Sequence, residues 1–347
     1  MSSWTAVASA ATRLPGLLAR DYWTTSVLES APGHYATGVA HGMFGASFPA
    51  AGRGSGEDMT VRSERRPVNL TRRSLAHAFP EATGRLVIFL HGLVETERCW
   101  FRGDGFGTRL AADLGTTSVY VRYNSGRHVS ENGDDLVALL SRLTAAWPVP
   151  VSDVVLIGHS MGGLVARSAL YRAEERNVAW LPRVTRLVCL GTPHSGAPLE
   201  RRVAQLVHLL GRSPLTNPFT RLLAARSDGI QDLAHGYVHP AQWAPGREAG
   251  WRPPPGSGTG VRRLYVSATL SRTEGSRWGH LFGDLLVPPV EAGDLTDEAD
   301  IVWLGGLNHF SLLHDTAVYE TLLGWLRTED AEHSETLLAG DGGPSPG

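Results

Sequence analysis

A serine lies at the centre of the pentapeptide Gly-His-Ser-Met-Gly, at residues 158–162. The apolar run 154–157 precedes it without a gap, and residues 163–170 continue with helical spacing, so the pattern predicts a strand, a sharp turn and a helix. Such a turn holds its serine in a strained backbone conformation that only small neighbours tolerate, and the two flanking glycines supply that room. Ser160 is therefore the candidate nucleophile of an acyl-transfer reaction.

The second group that this chemistry needs is a histidine, because a serine hydroxyl is a poor nucleophile until a base takes its proton. His309 follows a strand-like run at 301–304 and a turn at 305–308. A predicted helix at 311–326 comes next, and His314 would lie inside it. A histidine inside that helix is better placed for packing or solvent contact than for proton transfer. We therefore predict His309 as the general base, with His314 as its rival.

A carboxylate usually orients the histidine, and in this arrangement it lies between the serine and the histidine along the chain. Asp284 follows the strand-like run 264–268 and is flanked by apolar residues, where a carboxylate needs a partner. Its rivals by order alone fall in an acidic run that is typical of a solvated loop. We predict Asp284 as the acid, and its rivals are Asp294, Asp297 and Asp300.

Backbone amides aimed at the carbonyl oxygen are the third requirement, since removing one such donor costs about 10²–10³-fold in rate. The residue after the nucleophile, Met161, supplies one amide. The apolar run 85–90 predicts an earlier buried strand, and His91 and Gly92 follow it directly. Gly92 lets the backbone approach closely, so the amide of Leu93 is the predicted second donor.

Further residues are predicted to line the substrate because they follow strands at the edge where ligands gather in α/β sheets. Asn124 comes directly after the strand-like run 117–123, and His194 follows the run 186–190. The place of His194 and Ser195 beside the predicted nucleophile strand favours a pocket wall over a second catalytic pair. The predicted substrate-binding residues are His91, Gly92, His159, Asn124 and His194.

Together these segments resemble the α/β-hydrolase superfamily, and within it the lipase-like group and the glycosylphosphatidylinositol inositol-deacylase-like branch. The resemblance covers about residues 84 to 327, and its pieces are His91-Gly92, 158–163, 190–198, Gly283-Asp284 and Asn308-His309. It implies an α/β fold with a mostly parallel central sheet flanked by helices. It also implies a helical cap, inserted after the strand that follows the nucleophile turn.

The chain divides into three predicted parts. About seventy residues separate the strand ending at 190 from the one starting near 261, far more than a simple crossover needs, and an amphipathic helix is predicted at 203–210. Whether such a cap moves is left open. For the first part, a helical segment packed on the sheet is favoured over a membrane-surface anchor. The predicted parts are a helical segment at 1–57, a hydrolase domain at 58–327 with a cap at about 197–260, and a flexible tail at 328–347.

Composition excludes several other classes of function. The 347 residues, 42% of them hydrophobic, suffice for one α/β domain with a cap, and a net charge of −2 offers no broad attraction to nucleic acid. All 32 basic residues are arginine, so Schiff-base and Ser-Lys chemistry are excluded in this chain. The two cysteines and the absence of ligand-like His/Cys spacing lead us to expect no disulfide, metal or other cofactor.

The predicted activity is that of a serine hydrolase, which cleaves carboxylic esters of lipid-like or other apolar acyl groups through an acyl-enzyme. Two alternatives remain: an acyltransferase that uses the same acyl-enzyme, and a catalytically silent α/β-hydrolase fold used for binding. The expected partner is a small-molecule or lipid ester, and transient contact with a membrane surface is left open. Without a signal-like start or ~18 apolar residues in a row, a cytoplasmic location is predicted. The sequence does not address the oligomeric state.

Overall fold

Eight strands of the described chain form one sheet. The computed structural model describes residues 38, 59–64, 66–196, 227–244, 260–269 and 299–339, with side chains in the last segment to residue 328. The strands are β1 Met59–Ser63, β2 Arg66–Pro67, β3 Arg85–Leu90, β4 Thr117–Tyr123, β5 Asp153–His159, β6 Val184–Leu190, β7 Arg262–Thr269 and β8 Asp300–Gly305. Their spatial order is β2-β1-β4-β3-β5-β6-β7-β8, and β1 pairs antiparallel with both β2 and β4. All pairings from β4 to β8 are parallel, so the carboxyl ends of these six strands share one edge.

Helices connect the parallel strands, as parallel pairing requires. The described helices are α1 Arg72–Ala78, α2 Phe106–Leu114, α3 Val129–Ala146, α4 Met161–Glu175, α5 Asp228–His235 and α6 Thr316–Ala339. Short 3₁₀ turns at Glu97–Phe101, Leu181–Arg183, Pro240–Gln242 and Ser311–Leu313 join some of them. In the part of the chain that the structure describes, no helix is both long and apolar enough to cross a bilayer.

Both faces of the sheet are buried, which explains why the central strands are apolar without alternation. Leu86, Ile88 and Leu90 of β3 pack on one side with residues of α1, α3, α4 and α5. Val87 and Phe89 pack on the other side with residues of α2 and α6. The sheet is therefore the middle of three layers, and the expected mostly parallel sheet flanked by helices is confirmed.

The closing helix differs from its prediction at the start. A 3₁₀ turn, Ser311–Leu313, comes first, and α6 begins only at Thr316. His314 has a φ of −151°, and the carboxylate of Asp315 accepts a hydrogen bond from the amide of Ala317. Asp and Asn side chains that bond to the backbone in this way start helices, so apolar spacing alone placed the boundary five residues too early.

Only some of the remaining predictions about the parts of the chain concern residues that the structure describes. Within the predicted cap, the structure describes α5 and the turn at Pro240–Gln242, while the predicted helix at 203–210 lies outside the described residues. Residues 1–57 lie outside them except for Gly38. At the other end, α6 continues to Ala339, past residue 328, where the sequence predicts a tail to begin.

Candidate functional site

Ser160 lies at a sharp turn between β5 and α4. Its backbone has φ 53° and ψ −122°, a left-handed region that a residue with a side chain enters only at a cost of about 1–3 kcal/mol. Two neighbours fix this backbone: the Ser160 amide donates to the carbonyl of Leu190 at 2.8 Å, and its carbonyl accepts from Thr192 Oγ1 at 2.9 Å. The predicted strand, turn and helix around Ser160 are therefore present.

Three glycines around Ser160 leave no space for a side chain. A Cβ on Gly158 would overlap the backbone of Gly162, and one on Gly162 would overlap the carbonyl of Leu90. A Cβ on Gly163 would overlap Thr192 Oγ1, the atom that holds the Ser160 carbonyl. The start of α4 is thus packed directly against the ends of β3 and β6, which fixes the direction in which Ser160 is presented.

The loop that follows β3 packs against the nucleophile. A Cβ built on Gly92 would lie 3.1 Å from Cβ of Ser160, closer than most Cβ contacts, so glycine favours this approach. The predicted oxyanion donors are the amides of Leu93, which follows Gly92, and of Met161, the first residue of α4. Neither amide donates a hydrogen bond to any other residue that the structure describes. Among the described residues, neither N–H group is therefore engaged, as the predicted role requires.

His91 holds this loop from within the protein. Its side chain is fully buried, and its Nε2 accepts a hydrogen bond from the amide of Tyr123, which leaves the ring proton on Nδ1, 2.9 Å from the carbonyl of Gly92. Burial lowers the pKa of His91, in keeping with a neutral ring. In the described structure the His91 ring thus holds the backbone of the loop, and its predicted contact with the substrate stays a prediction.

The turn after β4 supports the same loop from the side. The carboxamide oxygen of Asn124 accepts from the amide of Gly126 at 3.1 Å, which closes the turn. Ser125 is fully buried, and its Oγ accepts from the amide of Val94 at 3.2 Å. The predicted contact of Asn124 with the substrate stays a prediction, whereas Ser125, which sequence reasoning missed, holds the loop after β3 that carries the predicted oxyanion donor Leu93.

His309 lies at the carboxyl edge of the sheet, close to the residues that hold Ser160. A Cβ on Gly191 would lie 3.1 Å from Nδ1 of His309, and Gly191 directly follows Leu190, whose carbonyl accepts from the Ser160 amide. The rival His314 is exposed and lies near Gly103. The structure thus brings His309 to the site and places His314 outside it. The predicted acid, Asp284, lies outside the described residues.

His159 and Glu95 form a second carboxylate–imidazole pair beside the site. Nδ1 of His159 lies 3.0 Å from Oε2 of Glu95, and Nε2 lies 3.1 Å from the backbone oxygen of His309. Burial alone would raise the pKa of Glu95, but the charge and hydrogen bond of His159 and the amide of Gly92 lower it to about 2. His159 is almost fully buried, and its predicted contact with the substrate stays a prediction.

His194, in the loop that follows β6, is also buried. Nη1 of Arg167 lies 3.0 Å from its Nδ1, and its ring packs 4.0 Å from that of Tyr265. Burial and the charge of Arg167 lower the pKa of His194 well below its usual value. The ring is therefore neutral, Nδ1 accepts from Arg167, and His194 supports the loop between β6 and the cap.

A part of the predicted cap lies against the site. A Cβ on Gly229 of α5 would overlap the carbonyl of Ser125 and lie 2.8 Å from Cε of Met161. Asp232, one turn further along α5, is almost fully buried, and accepts a hydrogen bond from the amide of Val129 at 2.8 Å. The start of α5 therefore borders the nucleophile turn, and Asp232 fastens α5 to the start of α3.

Four residues that contribute to this geometry were not predicted individually as site residues: Glu95, Ser125, Gly191 and Thr192. Each follows a strand of the sheet within five residues, and Gly191 and Thr192 also lie in the segment 190–198 of the resemblance. The described residues contain no group of three or more His, Cys, Asp or Glu side chains that could hold a metal ion.

A family model and several solved structures are similar to this chain. The sequence model of the PGAP1-like alpha/beta domain family matches residues 123–244, which include Ser160 and α5. No curated protein matches the sequence. Similar solved structures include a Bacillus licheniformis lipase, BlEst2, at 20% identity and a TM-score of 0.45, covering 69% of this chain and 91% of that one.

Two esterases resemble the chain in the same way. One comes from Thermogutta terrifontis, with 17% identity and a TM-score of 0.42 over 71% of this chain and 90% of that one. The other is from Pyrococcus furiosus, with 13% identity and a TM-score of 0.42 over 71% and 82% of the two chains. Likenesses this distant say nothing about substrate. The described part of the chain has the mostly parallel sheet flanked by helices that the resemblance implies, and residues 123–244 match the PGAP1-like alpha/beta domain.

Proposed function

We propose that this protein is a serine hydrolase that cleaves carboxylic esters of lipid-like or other apolar acyl groups. The observation that carries the proposal is the backbone of Ser160, held at φ 53° by Leu190 and Thr192 at the start of α4. A serine has no structural need for a conformation this costly, and such strain is typical of sites where it serves a function.

The reaction would run through an acyl-enzyme. Oγ of Ser160 attacks the ester carbonyl carbon while His309 takes the hydroxyl proton, and the amides of Leu93 and Met161 bind the oxygen that becomes negative. The tetrahedral intermediate collapses, the C–O bond to the alcohol breaks, and His309 passes its proton to the leaving alcohol. Water then repeats the sequence on the acyl-enzyme and releases the acid, and Asp284 would hold the imidazolium.

An apolar acyl group suits the surface next to the base. Phe310 directly follows His309, lies edge-on to its ring at 5.7 Å between centroids, and is 39% exposed. Burying an aromatic ring of this kind under an acyl chain would add favourable apolar contact, at about 25 cal/mol per Å² removed from water. This ring supports an apolar substrate over a short polar ester.

Substitution of the nucleophile tests the proposal. Ser160→Ala should abolish both covalent labelling by a fluorophosphonate probe and hydrolysis of an activated ester, with little change in melting temperature. Ser168→Ala is the matched control, because Ser168 is buried in the same helix and lies away from the turn. Its labelling should equal that of the wild type. A folded wild-type protein that never labels would make the chain a silent binding module.

A panel of acyl esters separates the two active alternatives. Hydrolysis rates should rise with chain length from acetyl to octanoyl esters, and water should remain the main acyl acceptor when a second alcohol is added. If most of the acyl group instead appears on the added alcohol at every chain length, the protein is an acyltransferase and the hydrolase proposal is wrong.

A further inference from the structure

We propose that Glu95 and His159 form a positioning pair that couples the oxyanion loop to the loop carrying the catalytic histidine. This inference rests on the proposed function, since it assigns these two residues a part in the same reaction. Neither side chain would touch the substrate. They would act by fixing the distance between the Gly92 loop and His309.

The first half of the coupling is a shared carboxylate oxygen. Oε2 of Glu95 accepts one hydrogen bond from the amide of Gly92 at 3.0 Å and lies 3.0 Å from Nδ1 of His159. Gly92 belongs to the loop after β3, and His159 is the last residue of β5. One oxygen therefore ties the oxyanion loop to the residue that precedes the nucleophile.

The second half of the coupling is a contact between His159 and the backbone of the proposed base, His309. Nε2 of His159 lies 3.1 Å from the backbone oxygen of His309, and the two rings are 4.7 Å apart between centroids. The two partners of His159, a carboxylate and a carbonyl, can only accept hydrogen bonds. The ring fills both contacts only when it carries a proton on each nitrogen. With both protons, the ring is an imidazolium paired with the Glu95 carboxylate.

Burial makes this pair rigid. The His159 side chain is 1% exposed and that of Glu95 is 11% exposed, so water competes little for either partner and their attraction is strong. Displacements of about 1 Å at a catalytic group cost as much as about 10²-fold in rate. A pair that links the oxyanion loop, the nucleophile turn and the base at once is placed to prevent such displacements.

Three substitutions separate the two contacts of His159. Glu95→Gln keeps the shape of the side chain but removes the negative charge that stabilises a second proton on the ring. His159→Asn puts its amide near the position of Nδ1 and cannot reach His309. His159→Gln puts its amide near the position of Nε2 and leaves Glu95 without its cation. Each variant should lower kcat by about 10- to 100-fold with KM changed less than about threefold.

A double substitution tests whether the two residues act as one unit. Glu95→Gln combined with His159→Gln should be no slower than the slower single variant, because the second change removes an interaction already lost. A product of the two single effects would overturn the proposal. All rates are expressed per molecule of folded protein, counted by complete fluorophosphonate labelling.

Glu97→Gln is the matched control for loss of a buried ion pair. Glu97 lies two residues from Glu95 and pairs with Arg122 through two hydrogen bonds of 2.6 Å, away from Gly92 and His159. Its loss should lower the melting temperature and leave kcat per folded molecule within about twofold of the wild type. Equal losses of kcat in Glu95→Gln and Glu97→Gln would show a purely structural role and overturn the proposal.

Nitrogen-15 NMR of the histidine rings tests the coupling without any turnover. The wild type should show His159, assigned from the spectrum of His159→Gln, protonated on both nitrogens at neutral pH. Glu95→Gln should convert it to a neutral ring and shift the His309 signals, whereas Glu97→Gln should change neither. A neutral His159 in the wild type, or unchanged His309 signals in Glu95→Gln, overturns the proposal even if Ser160 proves inactive. If the wild type is active and Glu95→Gln has the same kcat, this inference is wrong while the proposed hydrolase function stands.

Discussion

Gly92 and Ser160 approach so closely that a Cβ on Gly92 would lie 3.1 Å from the Cβ of Ser160 and 2.8 Å from Oε2 of Glu95. Gly92→Ala should therefore push the oxyanion loop away from the nucleophile. We expect kcat/KM for an activated ester to fall by about 10²-fold. Steady-state kinetics on the purified variant measure this directly.

Gly324→Ala is the matched control for that substitution. Gly324 lies within α6, and a Cβ there would meet no atom within 4 Å. Alanine in a helix interior is favoured over glycine by about 0.5–1 kcal/mol, so this variant should be as active as the wild type and slightly more stable. A Gly92→Ala enzyme with wild-type kinetics would mean that the oxyanion donors lie elsewhere.

His309 and His314 give opposite expectations, although they are five residues apart. His309 is buried beside Gly191, and His314 is exposed. His309→Ala should lower kcat by at least about 10⁴-fold, because removing one residue of a catalytic unit removes nearly all of the rate enhancement of that unit. His314→Ala should stay within about twofold of the wild type. Comparable losses in both variants would contradict the assignment of the base.

The acid can be tested against a rival that the structure locates. Asp300 begins β8, at the edge of the sheet opposite to the site, and its Oδ2 accepts from Nε1 of Trp325 at 2.6 Å. Asp284→Asn should reduce kcat by about 10²–10⁴-fold, and Asp300→Asn should change only stability. Wild-type turnover in Asp284→Asn, measured on the same ester, would return the role to Asp294 or Asp297.

The fold was predictable where burial alone sets the pattern. The runs at 85–90, 154–157 and 186–190 are apolar because both faces of β3, β5 and β6 are covered, and each appears as the expected strand. The turn at Ser160 was predictable because glycines are required on both of its sides. Local constraints of this kind can be recognised from the sequence alone.

The positions of buried polar residues were not predictable in the same way. His91, His159 and His194 follow strands at the carboxyl edge, as substrate-lining residues do, yet all three are buried. Their partners come from other elements: Tyr123 from β4, Arg167 from α4, and Glu95 from a loop that bends back at Val94 with φ 57°. Only the assembled sheet brings those partners together, so spacing along one chain cannot reveal them.

The last prediction concerns the pH dependence of stability and rests on His128. Its ring stacks on Trp243 at 3.6 Å, and Nδ1 lies 3.1 Å from Oδ2 of Asp232. Burial alone would lower the pKa of His128, but the hydrogen bond and charge of Asp232, with smaller contributions from Asp228 and Glu131, raise it overall. Its stabilisation is therefore complete below the unfolded pKa of about 6.5 and is lost as pH rises through the folded value.

His128→Asn should remove this dependence, because asparagine keeps a hydrogen-bond donor near the position of Nδ1 but cannot carry a charge. Because the pKa of His128 is raised in the folded protein, the wild type should lose stability from about pH 6 to pH 9, roughly the range around an ordinary histidine pKa. The variant should lose less over the same range. Melting temperatures of the wild type, His128→Asn and the exposed control His314→Asn measure the effect. Parallel curves for the wild type and His128→Asn would contradict a charged His128–Asp232 pair in the folded protein.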